Sequence, residues 1–115
     1  MDSGATRARI EFLWWAECPS WERALAILSE EVTAGGLDSE IIESIEVKTE
    51  ADAERLGFPG SPTIRIGAVD IAATGRPEPT GLTCRVYRRA DGRASPLPER
   101  EDIRAALARA RQEAA

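Results

Sequence analysis

The chain contains no histidine and only two cysteines, Cys18 and Cys84, and both shortages restrict its chemistry. Without histidine it lacks the usual general base of serine and cysteine hydrolases and the commonest zinc ligand. A histidine-dependent catalytic triad and a histidine-based metal site are therefore excluded. We expect neither a metal nor a cofactor, so any chemistry depends on the thiols.

Long apolar runs are also missing, since the uninterrupted stretches are only a few residues long. This pattern predicts neither a membrane span nor the apolar core of a secretory signal. Two cysteines without such a signal fit free thiols in a reducing compartment better than a disulfide framework. We therefore predict a cytoplasmic protein that does not associate with membranes.

Positive charge is in short supply, with 15 Lys and Arg against 20 Asp and Glu and a formal net charge of -5. No excess of cations is available to release counterions from a phosphate backbone, so we expect no nucleic-acid partner. Arg85, Arg88 and Arg89 form a local basic cluster, which we interpret as the solvated end of a strand with no functional role.

The 115 residues, 43% of them hydrophobic, are enough to bury one core, and they contain no repeat. We predict a single domain over residues 1–115, with flexible tails at 1–8 and 112–115. Strands are predicted over 9–15, 41–48, 63–66 and 82–88, the last antiparallel to the third, and helices over 20–34, 49–57 and after Pro98. A short helical turn at the start of 41–48 is left open. Residues 72–81, rich in Pro, Gly and Thr, are predicted to form a loop.

Cys18 lies between the first predicted strand and the first predicted helix. At a helix N-cap, unpaired N–H groups and the positive end of the helix dipole favour the thiolate. We expect the sulfur to lie on the amides of Ser20 and Trp21, and Pro19 to occupy the first helical position. Ser20 also offers a hydroxyl to the thiolate. Cys18 is therefore the candidate nucleophile.

A Cys-Pro helix start followed later by Gly60-Ser61-Pro62-Thr63 resembles the two landmarks of the thioredoxin-like superfamily. The resemblance runs from Arg9 to the last helix and implies a thioredoxin-like three-layer α/β sandwich, βαβαββα with a four-stranded mixed sheet. It also implies a cis Ser61–Pro62 bond opposite Cys18, which leaves the backbone of Ser61 free to pair with an extended thiol substrate.

Trp21 stands where dithiol members of the superfamily have their second cysteine, so disulfide exchange within that loop is impossible. The resemblance then implies a monothiol thiol–disulfide oxidoreductase, in which an external thiol resolves the mixed disulfide. A thiol or disulfide substrate, of the glutathione kind, is the expected partner. The residues expected to contact it are Trp15, Pro19, Ser20, Trp21, Ser61 and Pro62.

Two other functions stay open at this point. One is a thioredoxin-fold module that binds a partner without catalysis. The other depends on Cys84, because Gly81-Leu82-Thr83-Cys84-Arg85-Val86-Tyr87 resembles a segment of small thioredoxin-like proteins loosely grouped as alkylmercury-lyase-like, which implies mercury or soft-metal handling by two thiols. The predicted strand register instead places Cys84 far from Cys18, as a buried structural cysteine.

Overall fold

The computed structural model describes residues 9–114 of the chain. The tails predicted at 1–8 and at residue 115 therefore lie outside the described residues. Residues 112–114, which we assigned to the second tail, instead belong to the last helix, Arg100–Ala114. None of the helices in the described part of the chain has the length and apolar character that a membrane crossing requires.

Residues 9–114 form six strands and three α-helices. In chain order they are β1 (Ile10–Trp14), α1 (Trp21–Ala34), β2 (Ile42–Glu46), α2 (Glu50–Leu56), β3 (Thr63–Ile66), β4 (Val69–Asp70), β5 (Tyr87–Arg88), β6 (Ala94–Ser95) and α3 (Arg100–Ala114). A 3-10 turn over Ser39–Ile41 precedes β2, so the helical turn left open in the sequence is present.

The main sheet has four strands in the order β2-β1-β3-β4. Strand β1 runs parallel to β2 and antiparallel to β3, and β4 is antiparallel to β3. The predicted four-stranded mixed sheet is therefore confirmed. Because β1 has neighbours on both sides, its carboxyl end lies in the middle of the sheet edge, where Cys18 follows.

Local signals explain the boundaries of helix α2. The Thr49 hydroxyl accepts a hydrogen bond from the amide of Asp52 at 3.0 Å, which caps the first turn. Gly57 ends the helix in the left-handed conformation, with φ of 64°. The short second helix predicted from this capping pattern is confirmed.

Apolar residues pack on both faces of the sheet, which gives three layers. On one face, α1 and α3 cover β1 and β3; the buried residues are Ile10, Phe12, Ala24, Leu28, Val32, Ile64, Ile66, Ile103, Ala106, Leu107 and Ala110. On the other face, α2 covers a smaller cluster of Leu13, Val47, Ala53 and Phe58. Alternation along β1 sends successive side chains to opposite clusters. The chain is thus an α/β sandwich with helices on both faces of a mixed sheet.

A buried carboxylate joins the two helices of the larger cluster. Glu31 on α1 is only 6% exposed, and it pairs with Arg104 at 2.7 Å and Arg100 at 3.0 Å on α3. Hydrogen bonds from Arg104 and Arg100 lower the pKa of Glu31, although burial opposes the shift. The carboxylate therefore stays ionised and holds α1 against α3.

The fourth strand predicted over 82–88 is wrong. The strand at that sheet edge is β4, which follows β3 through a two-residue turn at Gly67 and Ala68, both with positive φ. Only Tyr87 and Arg88 of the predicted segment form a strand, β5, and it pairs with β6 in a separate two-stranded ribbon. The rest of 82–88 lies against the residues before β3, next to Cys18.

Candidate functional site

Cys18 lies in the turn between β1 and α1. Its amide donates to the carbonyl of Trp15 at 3.0 Å, and its side chain is buried, with 3% exposure. Helix α1 begins at Trp21 with Ser20 as N-cap, so Cys18 precedes the N-cap by two residues. The predictions of Cys18 at the N-cap and of Pro19 as the first helical residue are therefore wrong.

Polar groups of two serines contact the sulfur of Cys18. Its Sγ lies 3.3 Å from Oγ of Ser20 and 3.5 Å from the carbonyl oxygen of Ser61. Burial of the thiol raises the pKa of Cys18, but hydrogen bonds from the Ser20 hydroxyl, the Ser61 hydroxyl, the Ser20 amide and Cys84 outweigh it and lower the pKa below that of an ordinary thiol. The predicted contact with the Ser20 hydroxyl is present. Hydrogen bonding therefore makes the thiolate of Cys18 easier to form than that of an ordinary thiol.

The residues before β3 form the opposite wall of the site. The Ser61–Pro62 peptide bond is cis, the isomer that the resemblance implied. Oγ of Ser61 accepts a hydrogen bond from the amide of Trp15 at 3.0 Å, and Oγ1 of Thr63 donates to the carbonyl of Gly60 at 2.6 Å. Ser61 thus contacts both ends of the turn that carries Cys18.

The backbone of Ser61 is already paired, which contradicts the expectation that it is free for a substrate. Its amide donates to the carbonyl of Thr83, and its carbonyl accepts from the amide of Arg85, both at 2.8 Å. These two bonds form a parallel bridge between Ser61 and Cys84. The chain's own segment 83–85 therefore occupies the position that we had assigned to an extended substrate.

Cys84 is neither buried nor remote from Cys18, so both predictions about it are wrong. Its side chain is exposed, and it contributes to the lowered pKa of Cys18. In return, partial desolvation together with the charge and hydrogen bonding of Cys18 raises the pKa of Cys84. Cys84 lies opposite Ser61, whose carbonyl contacts the Cys18 sulfur, so the two free thiols are near each other, with Cys18 as the more acidic one.

Arg85 is a buried structural residue, in contrast to the solvated cationic cluster that we predicted. Its side chain is 5% exposed and pairs with Asp70 of β4 at 2.8 Å and with Glu78 at 3.4 Å. Its guanidinium also lies over the ring of Tyr87, 5.4 Å from the centroid. The hydroxyl of Tyr87 donates to the carbonyl of Pro62 at 2.6 Å. Arg85 and Tyr87 thus fix the segment that carries Cys84.

Gly60 allows this segment to approach closely. A Cβ at that position would lie 3.1 Å from the Cα, Cβ and N atoms of Arg85, and its φ of +148° lies in a region that L side chains rarely adopt. The backbone of Gly60 and that of Arg85 are in contact because the glycine has no side chain.

The three tryptophans flank Cys18 in the sequence, and all three are partly buried by packing. Trp14 and Trp21 stack with ring centroids 4.0 Å apart, and Trp14 also donates to Oγ of Ser44 at 2.8 Å. Trp15 packs on the opposite face, against the cluster under α2, as the predicted alternation requires. The stacked pair joins the end of β1 to the start of α1 across the turn that contains Cys18.

An apolar groove of about 250 Å³ opens beside the exposed thiol of Cys84. Its lining comes from two short segments: Cys84, Arg85, Val86, Ala94, Ser95 and Pro96. Val86 is 62% exposed, and the carbonyl of Pro96 accepts a hydrogen bond from Oγ of Ser20 at 3.4 Å. The groove is thereby connected to the serine that contacts Cys18.

Among the predicted site residues, the structure brings Cys18, Ser20 and Ser61 into direct contact, with Pro62 next to them. The sequence predicted no site role for Arg85 or Tyr87, and it gave Cys84 a role only in the soft-metal alternative. A period-two signal was present, because Arg85 and Tyr87 are buried while Cys84 and Val86 are exposed.

Comparisons with protein-family models, with curated proteins and with solved structures give no match for this chain.

Proposed function

We propose that the chain is a thiol–disulfide oxidoreductase of thioredoxin-like fold, with Cys18 as its nucleophile. The observation that carries the proposal is the sulfur of Cys18, which lies 3.3 Å from the Ser20 hydroxyl and against the cis Ser61–Pro62 junction, with its pKa lowered. A thiolate is the attacking species in disulfide exchange. Because the pKa of Cys18 is lowered, the site holds more of this species at a given pH than an ordinary thiol would.

The topology supports the proposed fold. Strands and helices of the sandwich follow the order β1-α1-β2-α2-β3-β4-α3, which is the βαβαββα order, and β5 and β6 form an additional ribbon before α3. Cys18 follows the central strand β1, and Pro62 directly precedes β3, its antiparallel neighbour. This arrangement resembles that of thioredoxin-like proteins, in which the thiol and the cis-proline face each other.

The proposed reaction begins when the Cys18 thiolate attacks one sulfur of a disulfide. A bond forms between Cys18 and that sulfur, the original disulfide bond breaks, and the other sulfur leaves as a thiolate with the bonding electrons. The hydroxyls of Ser20 and Ser61 stabilise the thiolate before attack. A second thiol must then attack the mixed disulfide to release the bound half of the substrate.

The test is turnover of a glutathionylated peptide with glutathione as reductant. We expect the full chain to release the peptide thiol faster than glutathione alone, and Cys18→Ser to lose this acceleration. Cys84→Ser serves as the matched cysteine-to-serine control, because it retains the attacking thiol and should still take up glutathione on Cys18. Equal rates for the full chain and Cys18→Ser would instead favour a module that binds a partner without catalysis.

Soft-metal binding is a second candidate, because the two thiols interact across the Ser61 bridge. Two thiolates suit a two-coordinate soft cation. Among the described residues, no group of three or more histidine, cysteine or carboxylate side chains is placed to hold a metal ion. Stoichiometric uptake of mercuric ion that requires both cysteines would support this candidate, whereas uptake unchanged in Cys84→Ser would contradict it.

A further inference from the structure

The segment 83–85 lies beside the nucleophile and is joined to Ser61 by a parallel β-bridge. Two hydrogen bonds of 2.8 Å join Ser61 to Thr83 and Arg85, and Cys84 is the residue directly opposite Ser61. Neighbouring strands are about 4.8 Å apart, so the backbone of Cys84 lies one strand spacing from Ser61. The carbonyl of that same Ser61 is 3.5 Å from Sγ of Cys18.

Paired residues on adjacent strands send their side chains to the same side. Oγ of Ser61 is directed at the turn that carries Cys18, since it accepts the amide hydrogen of Trp15 at 3.0 Å. The side chain of Cys84 therefore lies on the same side of the bridge as Oγ of Ser61, which is the side that faces Cys18. The mutual effect of the two thiols on each other agrees with this placement.

We propose that Cys84 is the resolving thiol of this site and that Cys18 and Cys84 form a reversible intrachain disulfide during turnover. This inference rests on the proposed function. It replaces the external thiol expected from the sequence with a second cysteine of the same chain, which comes from the segment beside the cis-proline instead of from the helix start, where Trp21 stands.

The electrons balance over two exchanges. First, the Cys18 thiolate attacks a substrate disulfide and releases one half of it as a thiolate. Cys84 then loses its proton to solvent, its sulfur attacks Sγ of Cys18, and the second half of the substrate leaves with the bonding electrons. The substrate disulfide is reduced to two thiols, and Cys18 and Cys84 are oxidised to one disulfide. An external thiol reductant of the glutathione kind restores both thiols.

The electrostatics assign the order of these steps. Partial burial and the negative charge of the Cys18 thiolate both raise the pKa of Cys84, so Cys18 is the thiol that attacks first. Once Cys18 is bound in a mixed disulfide, that charge is gone and Cys84 becomes easier to deprotonate. The second thiol is therefore activated by the first exchange, at the step where it is needed.

Contacts of the residues after Cys84 fix the position of its backbone. Arg85 is anchored by Asp70 and Glu78, and Tyr87 by the carbonyl of Pro62. Cys84 precedes both anchored residues, and its thiol is exposed beside the groove. A departing half of the substrate can therefore leave to solvent. The segment is thus fixed on one face and open on the other.

The test is incubation of the full chain with oxidised glutathione, followed by alkylation of the remaining thiols, intact-mass measurement and non-reducing peptide mapping. We expect the wild type to lose both alkylatable thiols together and to yield a peptide that links Cys18 to Cys84. Cys84→Ser should accumulate a glutathione adduct on Cys18 that persists, and Cys18→Ser should give no intrachain product.

The outcomes separate this inference from the proposed function. A wild type that accumulates glutathione on Cys18 while Cys84 remains alkylatable would overturn the resolving role and leave the proposed oxidoreductase intact. Disulfide-linked dimers through Cys84 would also overturn it. A Cys18 that takes up no glutathione in either the wild type or Cys84→Ser would overturn the proposed function itself. The wild-type measurement needs no variant, so it does not depend on the folding of a mutant.

Discussion

Arg85 and Asp70 form an ion pair of 2.8 Å that fastens the segment carrying Cys84 to the edge strand β4. The Arg85 side chain is only 5% exposed, whereas Asp70 retains 18%. Arg85, which lies in the connection after β4, is thereby bound to the main sheet. The position of Cys84 beside Cys18 depends on this pair as well as on the bridge to Ser61.

Replacing Arg85 with methionine should destabilise the fold and loosen this segment. Removing one partner of a buried ion pair costs about 3–5 kcal/mol, and we expect the lower end because Asp70 is partly exposed. Urea unfolding gives the free-energy change, and hydrogen exchange at the amide of residue 85 reports the bond to Ser61. The exposed Arg88 offers a matched control, since Arg88→Met should change stability by no more than about 0.5 kcal/mol. Similar losses in both variants would contradict the structural role of Arg85.

The two thiols should titrate in different pH ranges. Alkylation of Cys18 should reach half of its maximal rate at a lower pH than that of an ordinary thiol, and alkylation of Cys84 at a higher pH. Peptide mapping of the full chain resolves the two rates at each pH. Ser20→Ala removes the hydroxyl that lies 3.3 Å from the sulfur and should raise the pKa of Cys18. Ser29→Ala, on the same helix, is the control and should leave the pKa unchanged; a common profile for both variants would contradict the assigned hydrogen bond.

Glu31 should make the stability of the fold sensitive to acid. Its pKa is lowered in the folded chain by Arg104 and Arg100, so its stabilising contribution is complete above the unfolded glutamate pKa of about 4.3. That contribution is lost as the pH falls through the lower folded value. The stability difference between wild type and Glu31→Gln should therefore shrink on acidification, as measured by urea unfolding at several pH values. Glu30→Gln, at a 62% exposed partner of Arg100, should show little difference at any pH. A difference for Glu31→Gln that does not depend on pH would contradict this linkage.

Local patterns in the sequence predict most of the sandwich. Helical periodicity with Gly35-Gly36 behind it predicts α1, and the Thr49 cap with Gly57 predicts α2. The buried character of β1 follows from its apolar and aromatic content. These features depend only on residues that are close together in the sequence. The sequence therefore predicts them without knowledge of the tertiary structure.

Apart from the exact start of α1, the errors at the site concern pairing between distant segments. Strand β4 has only two residues, too few for an alternating pattern, and it follows a Gly67-Ala68 turn that the sequence does not mark as a hairpin. Residues 82–88 look like an ordinary sheet strand, yet they pair with Ser61 and with β6. The proximity of Cys84 to Cys18 depends on this register, and no local propensity specifies it.

The bridge between Ser61 and Cys84 also limits what the site can admit. An extended peptide that adds a strand at Ser61 must first displace a segment that belongs to the same chain and therefore acts at a high effective concentration. A small disulfide needs access to the sulfur alone, so it does not compete with the segment 83–85 for the backbone of Ser61. For the proposed oxidoreductase we therefore expect low-molecular-weight disulfides to react faster than disulfides in extended protein segments.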